Sequence, residues 1–167
     1  MTLLSRLPAP CGVPSRQTKV HLICGGGTGI AIMRRLRQLG FTVSVGVVNV
    51  ADSDQLEAEV LDLLRIEEAP FSPITQEAHE RNSELARAAD VVVLCPIPFG
   101  RGNLRNLEAA ARARAAGRRV LLIDDPPIAG RDFADGEAIA LQTQLLRAGA
   151  ELLPDEAEAL AWLEGMP

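Results

Sequence analysis

Large aromatic side chains and lysine are nearly absent from this sequence of 167 residues. Aromatic residues make up 3%, with four Phe, one Trp and no Tyr, so nucleic-acid binding by base stacking has almost no rings available. Lys19 is the only lysine, which removes Schiff-base chemistry and the Gly-x4-Gly-Lys phosphate loop of motor ATPases from consideration. The net charge of −5 would repel a duplex backbone unless the basic residues cluster on one face. We therefore expect no nucleic-acid partner.

Cysteine and long apolar runs are also scarce. Cys11, Cys24 and Cys95 are too few and too scattered for a disulfide framework or a Cys-x-x-Cys metal site, which favours a reducing, cytoplasmic location. No apolar run approaches the roughly 18 residues that a membrane span needs. Residues 1–18 contain three prolines and no compact apolar stretch, so we interpret them as a flexible leader or linker. We expect no resident metal and no membrane insertion.

The rest of the chain, residues 19–167, has the composition and periodicity of one α/β domain. Apolar residues make up 47% and charged residues 23%, as in ordinary globular proteins. Short apolar runs alternate with stretches of helical spacing, which predicts a Rossmann-like three-layer fold with a mostly parallel sheet. Strands are predicted at 20–24, 42–50, 66–68, 91–95, 120–123 and 151–153. Helices are predicted at 30–39, 54–64, 73–89 with Ser72 as cap, 103–117, up to 148, and 154–164.

The loop after the first predicted strand is the first candidate binding site. In such a sheet, ligands bind at the carboxyl ends of the strands, where the strand order reverses between the first and fourth strands. Glycines there let backbone amides approach an anion at the N-terminus of the next helix. Alternatively, they only permit tight packing between strand and helix. The candidate residues of this loop are Gly25, Gly26, Gly27, Thr28 and Gly29.

The loops after the second and fourth strands supply further candidates. Asp52 lies at the distance expected for a carboxylate that accepts from a ribose hydroxyl, although Asp52 or Ser53 could equally cap the next helix. Arg101 lies between two glycines and before a predicted helix cap, where a guanidinium could bind a phosphate or carboxylate; a solvated turn is the alternative. The candidates from these loops are Asn49, Asp52, Ser53, Phe99, Gly100, Arg101 and Asn103.

The cysteines and histidines receive structural interpretations. Cys24 and Cys95 end strands that should be neighbours, and we interpret them as small buried thiols rather than a redox pair or a soft-metal site. His21 is internal to the first strand and is predicted to be a hydrogen-bonded core residue. His79 has charged neighbours along its helix and is predicted on a solvated face.

Four motifs in order resemble a known domain. They are ICGGGTG at 23–29, NVADSD at 49–54, APFSPI at 69–74 and PFGRGNL at 98–104. Together they resemble the domain appended after the ATPase domain in some cobalamin and iron-siderophore ABC importer subunits, over residues 19–153. The resemblance implies an association with ABC transporter components, but the chain lacks the ATPase motifs. A shorter resemblance, limited to residues 25–29, is to phospholactate-transferase-like proteins, whose loop holds a nucleotide or sugar nucleotide.

Two functions from different classes follow. The first is an accessory or sensory domain that binds an anionic small molecule, either a nucleotide or a corrinoid-related compound. The second is a small transferase acting on a phosphorylated or nucleotidyl substrate. The candidate crevice has no general base with a His or Lys partner, which favours the first. Asp124 and Asp125 favour the second if they hold Mg²⁺ or exchange protons, and they could equally shape a rigid turn. The sequence leaves open whether there is catalysis and whether the protein is a homo-oligomer.

Overall fold

A parallel β-sheet is the centre of the fold. The computed structural model describes residues 16–24, 29–47, 63–65, 75–95, 103–123 and 136–167. Within them, six parallel strands lie in the order β3-β2-β1-β4-β5-β6. These strands are β1 Lys19–Cys24, β2 Thr42–Val47, β3 Leu63–Arg65, β4 Val91–Leu94, β5 Arg119–Ile123 and β6 Glu151–Leu153. The described helices are α1 Ile30–Gln38, α2 Gln76–Ala88, α3 Asn103–Ala115, α4 Gly136–Arg147 and α5 Glu156–Glu164.

Helices cover both faces of the sheet, which confirms the predicted Rossmann-like α/β fold of three layers. β4 is buried along its whole length because it is central and packed on both sides. On one face, Leu22 and Val93 pack with residues of α1 and α5, including Leu36 and Leu163. The opposite face packs against α2, α3 and α4, through residues such as Ala86, Leu107 and Leu145. The strand order reverses between β1 and β4, as predicted.

One predicted element differs from the structure around the third strand. β3 occupies Leu63–Arg65, so the predicted helix over 54–64 is wrong at its last two residues. The apolar pair at 63–64 suits a helix or a buried strand equally, and parallel pairing with Val45 to Val47 of β2 decides between them. The remainder of that helix and the predicted strand at 66–68 lie outside the described residues.

The start of α2 is also later than predicted. The sequence gives Ser72 followed by proline, a strong start signal, but Thr75 is the N-cap of this helix. Its backbone is extended and its side chain accepts a hydrogen bond of 3.0 Å from the Ala78 amide. A threonine three residues later in the chain therefore takes the capping role.

Residues 16–18 pack against the domain although they fall in the segment predicted as a leader. The Arg16 guanidinium donates to the Leu39 and Met166 carbonyls and lies 4.7 Å above the centre of the Phe41 ring. Thr18 donates to the Pro167 carbonyl from its amide and its hydroxyl. No helix within the described ranges is long and apolar enough to cross a membrane.

His21 is fully buried in β1 and uses both ring nitrogens, which confirms it as a hydrogen-bonded core residue. Its Nε2 lies 2.8 Å from Asn82 Oδ1, which can only accept, so Nε2 carries the proton. Its Nδ1 then accepts from the Ser44 hydroxyl at 2.8 Å. Burial of the ring lowers the pKa of His21 from 6.5 to about 4, and the hydrogen bond to Asn82 offsets part of that shift.

We expect stability to fall as pH is lowered from 7 to 5. The unfolded chain binds a proton at His21 with a pKa near 6.5, whereas the folded protein does not until about pH 4. Protonation therefore favours the unfolded state, by about 2 kcal/mol between pH 7 and pH 5. Urea unfolding at the two pH values measures this loss. His21→Gln should show a correspondingly smaller loss, and an unchanged loss in that variant would contradict the assignment to His21.

Candidate functional site

The point at which the strand order reverses is the candidate site. β1 pairs with β2 on one side and with β4 on the other, and all three strands end at the same edge of the sheet. The chain leaving β1 enters α1 on one face, and the chain leaving β4 enters α3 on the opposite face. Diverging connections of this kind leave a crevice at the carboxyl ends of the two strands, where ligands bind in open α/β sheets.

Gly29 is the N-cap of α1 and lies at the carboxyl ends of β1 and β4. Its φ of 89° is left-handed, and a Cβ there would lie 2.7 Å from Cys24 Cβ and 3.0 Å from Cys95 Sγ. Only glycine therefore allows α1 to start this close to the ends of β1 and β4. Of the two interpretations of the loop, close packing accounts for the glycine at this position.

The Gly29 amide donates a hydrogen bond to a carboxylate from the C-terminal part of the chain. Glu156, in the first turn of α5, accepts a hydrogen bond of 3.0 Å from Gly29 N. Gly29 itself provides no side-chain cap, so Glu156 acts as the cap of α1 from 127 residues away. An acceptor with a negative charge is favoured there by the orphan amide and the helix dipole.

Sequence reasoning missed Glu156, although one signal was present. Ala159 and Leu163 form the buried stripe of α5, and Glu156 continues that stripe by one turn. An acidic residue in line with a buried stripe is unusual. The signal was obscured because acidic residues are common in the first turn of any helix, where Asp155 serves as the cap of α5.

Cys24 and Cys95 line the strand ends beneath Gly29. Both are buried thiols without a disulfide, and the pairing of β1 with β4 makes them neighbours, which confirms both predictions. Burial raises the pKa of the Cys95 thiol well above its ordinary value, and the nearby Cys24 and Glu156 add to this effect. Cys95 is therefore a neutral packing group and a poor nucleophile.

Most of the predicted site residues lie outside the described part of the chain. Gly29 is described, and α3 starts at Asn103, where a helix was predicted to begin. The side chain of Asn103 and the predicted metal or turn residues Asp124 and Asp125 lie outside the described set. So do the candidates Gly25, Gly26, Gly27, Thr28, Asn49, Asp52, Ser53, Phe99, Gly100 and Arg101. Within the described ranges, no three His, Cys, Asp or Glu side chains gather as metal ligands.

A buried polar seam runs between α2 and α3. Of the six buried polar residues among those described, five lie along it: His21, His79, Asn82, Ser83 and Asn106. Asn82 donates to Asn106 Oδ1 at 3.5 Å, and Arg112 donates to the Ser83 hydroxyl at 3.2 Å. Asn106 Nδ2 has no hydrogen-bond partner among the described residues.

The structure corrects the prediction for His79. The ring is 1% exposed and faces α3, whereas a solvated face was predicted. Its Nε2 lies 3.2 Å from Glu108 Oε2 but outside hydrogen-bonding geometry. Burial, reinforced by the charges of Arg112 and Arg105, lowers the pKa of His79. The charged sequence neighbours misled the prediction because α2 buries a polar stripe, which a hydrophobic pattern does not reveal.

A shallow cavity of about 260 Å³ lies at the opposite end of the molecule. It is bordered by the last turns of α3 and the second half of α4, including Arg114, Leu141 and Leu145. Because these helices run antiparallel to the strands, their last turns lie at the amino edge of the sheet. The cavity is therefore separate from the crevice.

Comparisons with known proteins identify the family of the chain and show a distant similarity in structure. The model of the MJ0874 family matches residues 43–160. No curated protein matches the sequence. One of the subunits of dipicolinate synthase from Bacillus halodurans is similar in structure, with 16% identity and a TM-score of 0.45. The similarity covers 91% of this chain and 48% of that one, so this chain spans about half the length of the synthase polypeptide.

Gly29→Ala should destabilise the protein by about 2–5 kcal/mol. The left-handed backbone costs an alanine roughly 1–2 kcal/mol, and overpacking against Cys24 and Cys95 adds about 1–3 kcal/mol. Gly117→Ala is the matched control because Gly117 has a φ of 84° but open space around a Cβ. It should lose only the backbone contribution. Urea unfolding of both variants measures the difference, and equal losses would refute the close-packing role of Gly29.

Proposed function

Given that the chain belongs to the MJ0874 family and has the Rossmann strand order, we propose that it binds an anionic, nucleotide-like small molecule at the switch point. The observation that carries this proposal is the placement of the α1 N-terminus at the carboxyl ends of β1 and β4, where it already holds a carboxylate. An internal carboxylate on Gly29 N supports the view that this position attracts negative charge.

The proposed ligand contacts combine described and sequence-based residues. Gly29 marks where the loop 25–29 enters α1, and the loop amides would contact the anion from that side. The loop after β4 would supply Arg101 from the other side, since α3 starts at Asn103 directly beyond it. Asp52 at the end of the second strand would accept from a hydroxyl of the ligand.

The biological role that we propose is an accessory or sensory domain for cobalamin or iron-siderophore import, in the cytoplasm. The four motifs that resemble the appended domain of ABC importer subunits support it. A corrinoid-related ligand is the second candidate for the same crevice. His21 would not ligate its cobalt, because both ring nitrogens are engaged inside the core.

Arg101→Ala should weaken ligand binding tenfold to a hundredfold and leave the fold intact. One lost charge-assisted hydrogen bond is worth about 1.5–3 kcal/mol. Arg101→Lys should recover part of the affinity, since an ammonium cannot reproduce the bidentate guanidinium. Arg147→Ala, at the exposed end of α4, is the control for net charge. Calorimetric titration with AMP, ADP and hydroxocobalamin, with melting temperature measured alongside, tests all three variants.

Three results would distinguish the alternatives. Binding of AMP or ADP that depends on Arg101 supports the proposal, and binding of hydroxocobalamin alone favours the corrinoid alternative. Equal affinity in the Arg101→Ala and Arg147→Ala variants contradicts the role of Arg101. Incubation of a labelled nucleotide with Mg²⁺ separates a binding domain from a transferase, because only a transferase would convert the label to a new compound.

A further inference from the structure

The shallow cavity between α3 and α4 lies at the opposite edge of the sheet from the switch point, so its chemistry can be considered independently of the site proposed there. We propose that this cavity binds a small amphiphilic carboxylate, with the apolar part of the ligand between the helices and its carboxylate on Arg114. The cavity has a volume of about 260 Å³. Small-molecule sites begin at roughly 300 Å³, so the ligand that fits is a short aliphatic or single-ring acid.

The walls of the cavity are apolar. Ala111 and Ala115 lie one turn apart and line it from α3, and Leu141 and Leu145 lie one turn apart and line it from α4. Residues one turn apart share a face of their helix, so each pair forms a continuous apolar surface. The alanines of α3 fill little of the space opposite the leucines, and the groove between the two helices therefore stays open.

Arg114 adds a fixed positive charge at the border of these walls. Its Nε donates to the Ala148 carbonyl at 2.7 Å, and its Nη1 donates to the Arg118 carbonyl at 3.1 Å. A guanidinium has further N–H donors, and those of Arg114 have no acceptor among the described residues. Because two backbone carbonyls already hold the group in place, a carboxylate could pair with its planar fork at little cost in side-chain entropy.

The surrounding charges favour an anion at this position. Arg118 follows α3 in the chain, and Arg147 is the last residue of α4, so further cations lie near the same helix ends. Asp90 and Glu151 are the carboxylates at the starts of the neighbouring strands, and each already accepts a hydrogen bond of 2.8 Å, from a backbone amide and an indole respectively. A carboxylate ligand is therefore attracted here although the net charge of the protein is −5.

Two pairs of variants separate the contribution of the charge from that of the apolar walls. Arg114→Gln keeps an amide that can donate to the Ala148 carbonyl and removes the charge, whereas Arg147→Gln changes the net charge equally on an exposed residue outside the cavity lining. Ala111→Leu adds a branched side chain to the wall, and Ala140→Leu adds the same side chain at an exposed position of α4 outside the lining. Melting temperatures show whether each variant folds.

Hexanoate and benzoate should bind the wild type with dissociation constants of about 1 mM, as suits ligands of this size in an open cavity. Hexan-1-ol has the same chain without the charge and should bind at least about tenfold more weakly. Arg114→Gln should lose about tenfold in affinity for hexanoate but not for hexan-1-ol, and Ala111→Leu should lose binding of both. The two control variants should bind like the wild type. Titration followed by amide NMR measures these affinities and shows whether the shifted signals belong to α3 and α4.

Four results would overturn the proposal. If neither acid binds, the cavity is not a site for such ligands, and if hexanoate and hexan-1-ol bind equally, Arg114 does not hold the carboxylate. Equal losses in the Arg114 and Arg147 variants would show an effect of net charge alone. Unchanged binding in Ala111→Leu would place the ligand outside the cavity. If Arg114→Gln does not fold, the comparison of acid with alcohol and the two alanine variants still decide the matter.

Discussion

The contact between Gly29, the N-cap of α1, and the ends of β1 and β4 is the constraint on which the rest of the site depends. The space between them admits no Cβ at Gly29. The side chains at the strand ends must then be small, as Cys24 and Cys95 are, and the helix must begin in a left-handed conformation that only glycine adopts easily. The same contact places the Gly29 amide at the carboxyl ends of β1 and β4, where Glu156 accepts a hydrogen bond from it.

The two faces of the sheet differ in chemistry among the described residues. The α1 and α5 face is apolar, whereas the α2 and α3 face contains the polar seam from His21 to Asn106. A buried polar atom without a partner costs roughly 1–3 kcal/mol, so apolar residues at His79 and Asn106 would serve stability better. Both lie in the first turns of their helices, which start at the carboxyl edge of the sheet. Stability alone therefore does not account for this seam.

The fold was predictable from the sequence because its signals are local. Runs such as 91–94 are buried on both faces and contain only Val and Leu, which defines a central parallel strand. Glu156 and His79 were not predictable because their environments depend on helix packing between segments distant in sequence. Glu156 meets Gly29 across 127 residues, and His79 is buried by α3 among neighbours that look solvated. The start of α2 was mispredicted for a local reason. Ser72 and Thr75 are three positions apart and both are suitable N-cap residues, and the sequence alone does not show which of them caps the helix.

The electrostatics of the crevice connect the glycine loop with the loop after β4. An α-helix contributes about half a positive charge at its N-terminus, and in this protein Glu156 has already compensated that charge. An anionic ligand would then need a cation from another element in addition to the α1 dipole. The chain has one lysine, Lys19, which starts β1 at the amino edge of the sheet. The cation in the proposed site is Arg101, which follows β4 in the sequence. In the proposed arrangement the close packing of Gly29 and the binding of an anion would be compatible, because packing fixes the position of the Gly29 amide and Arg101 would supply the charge.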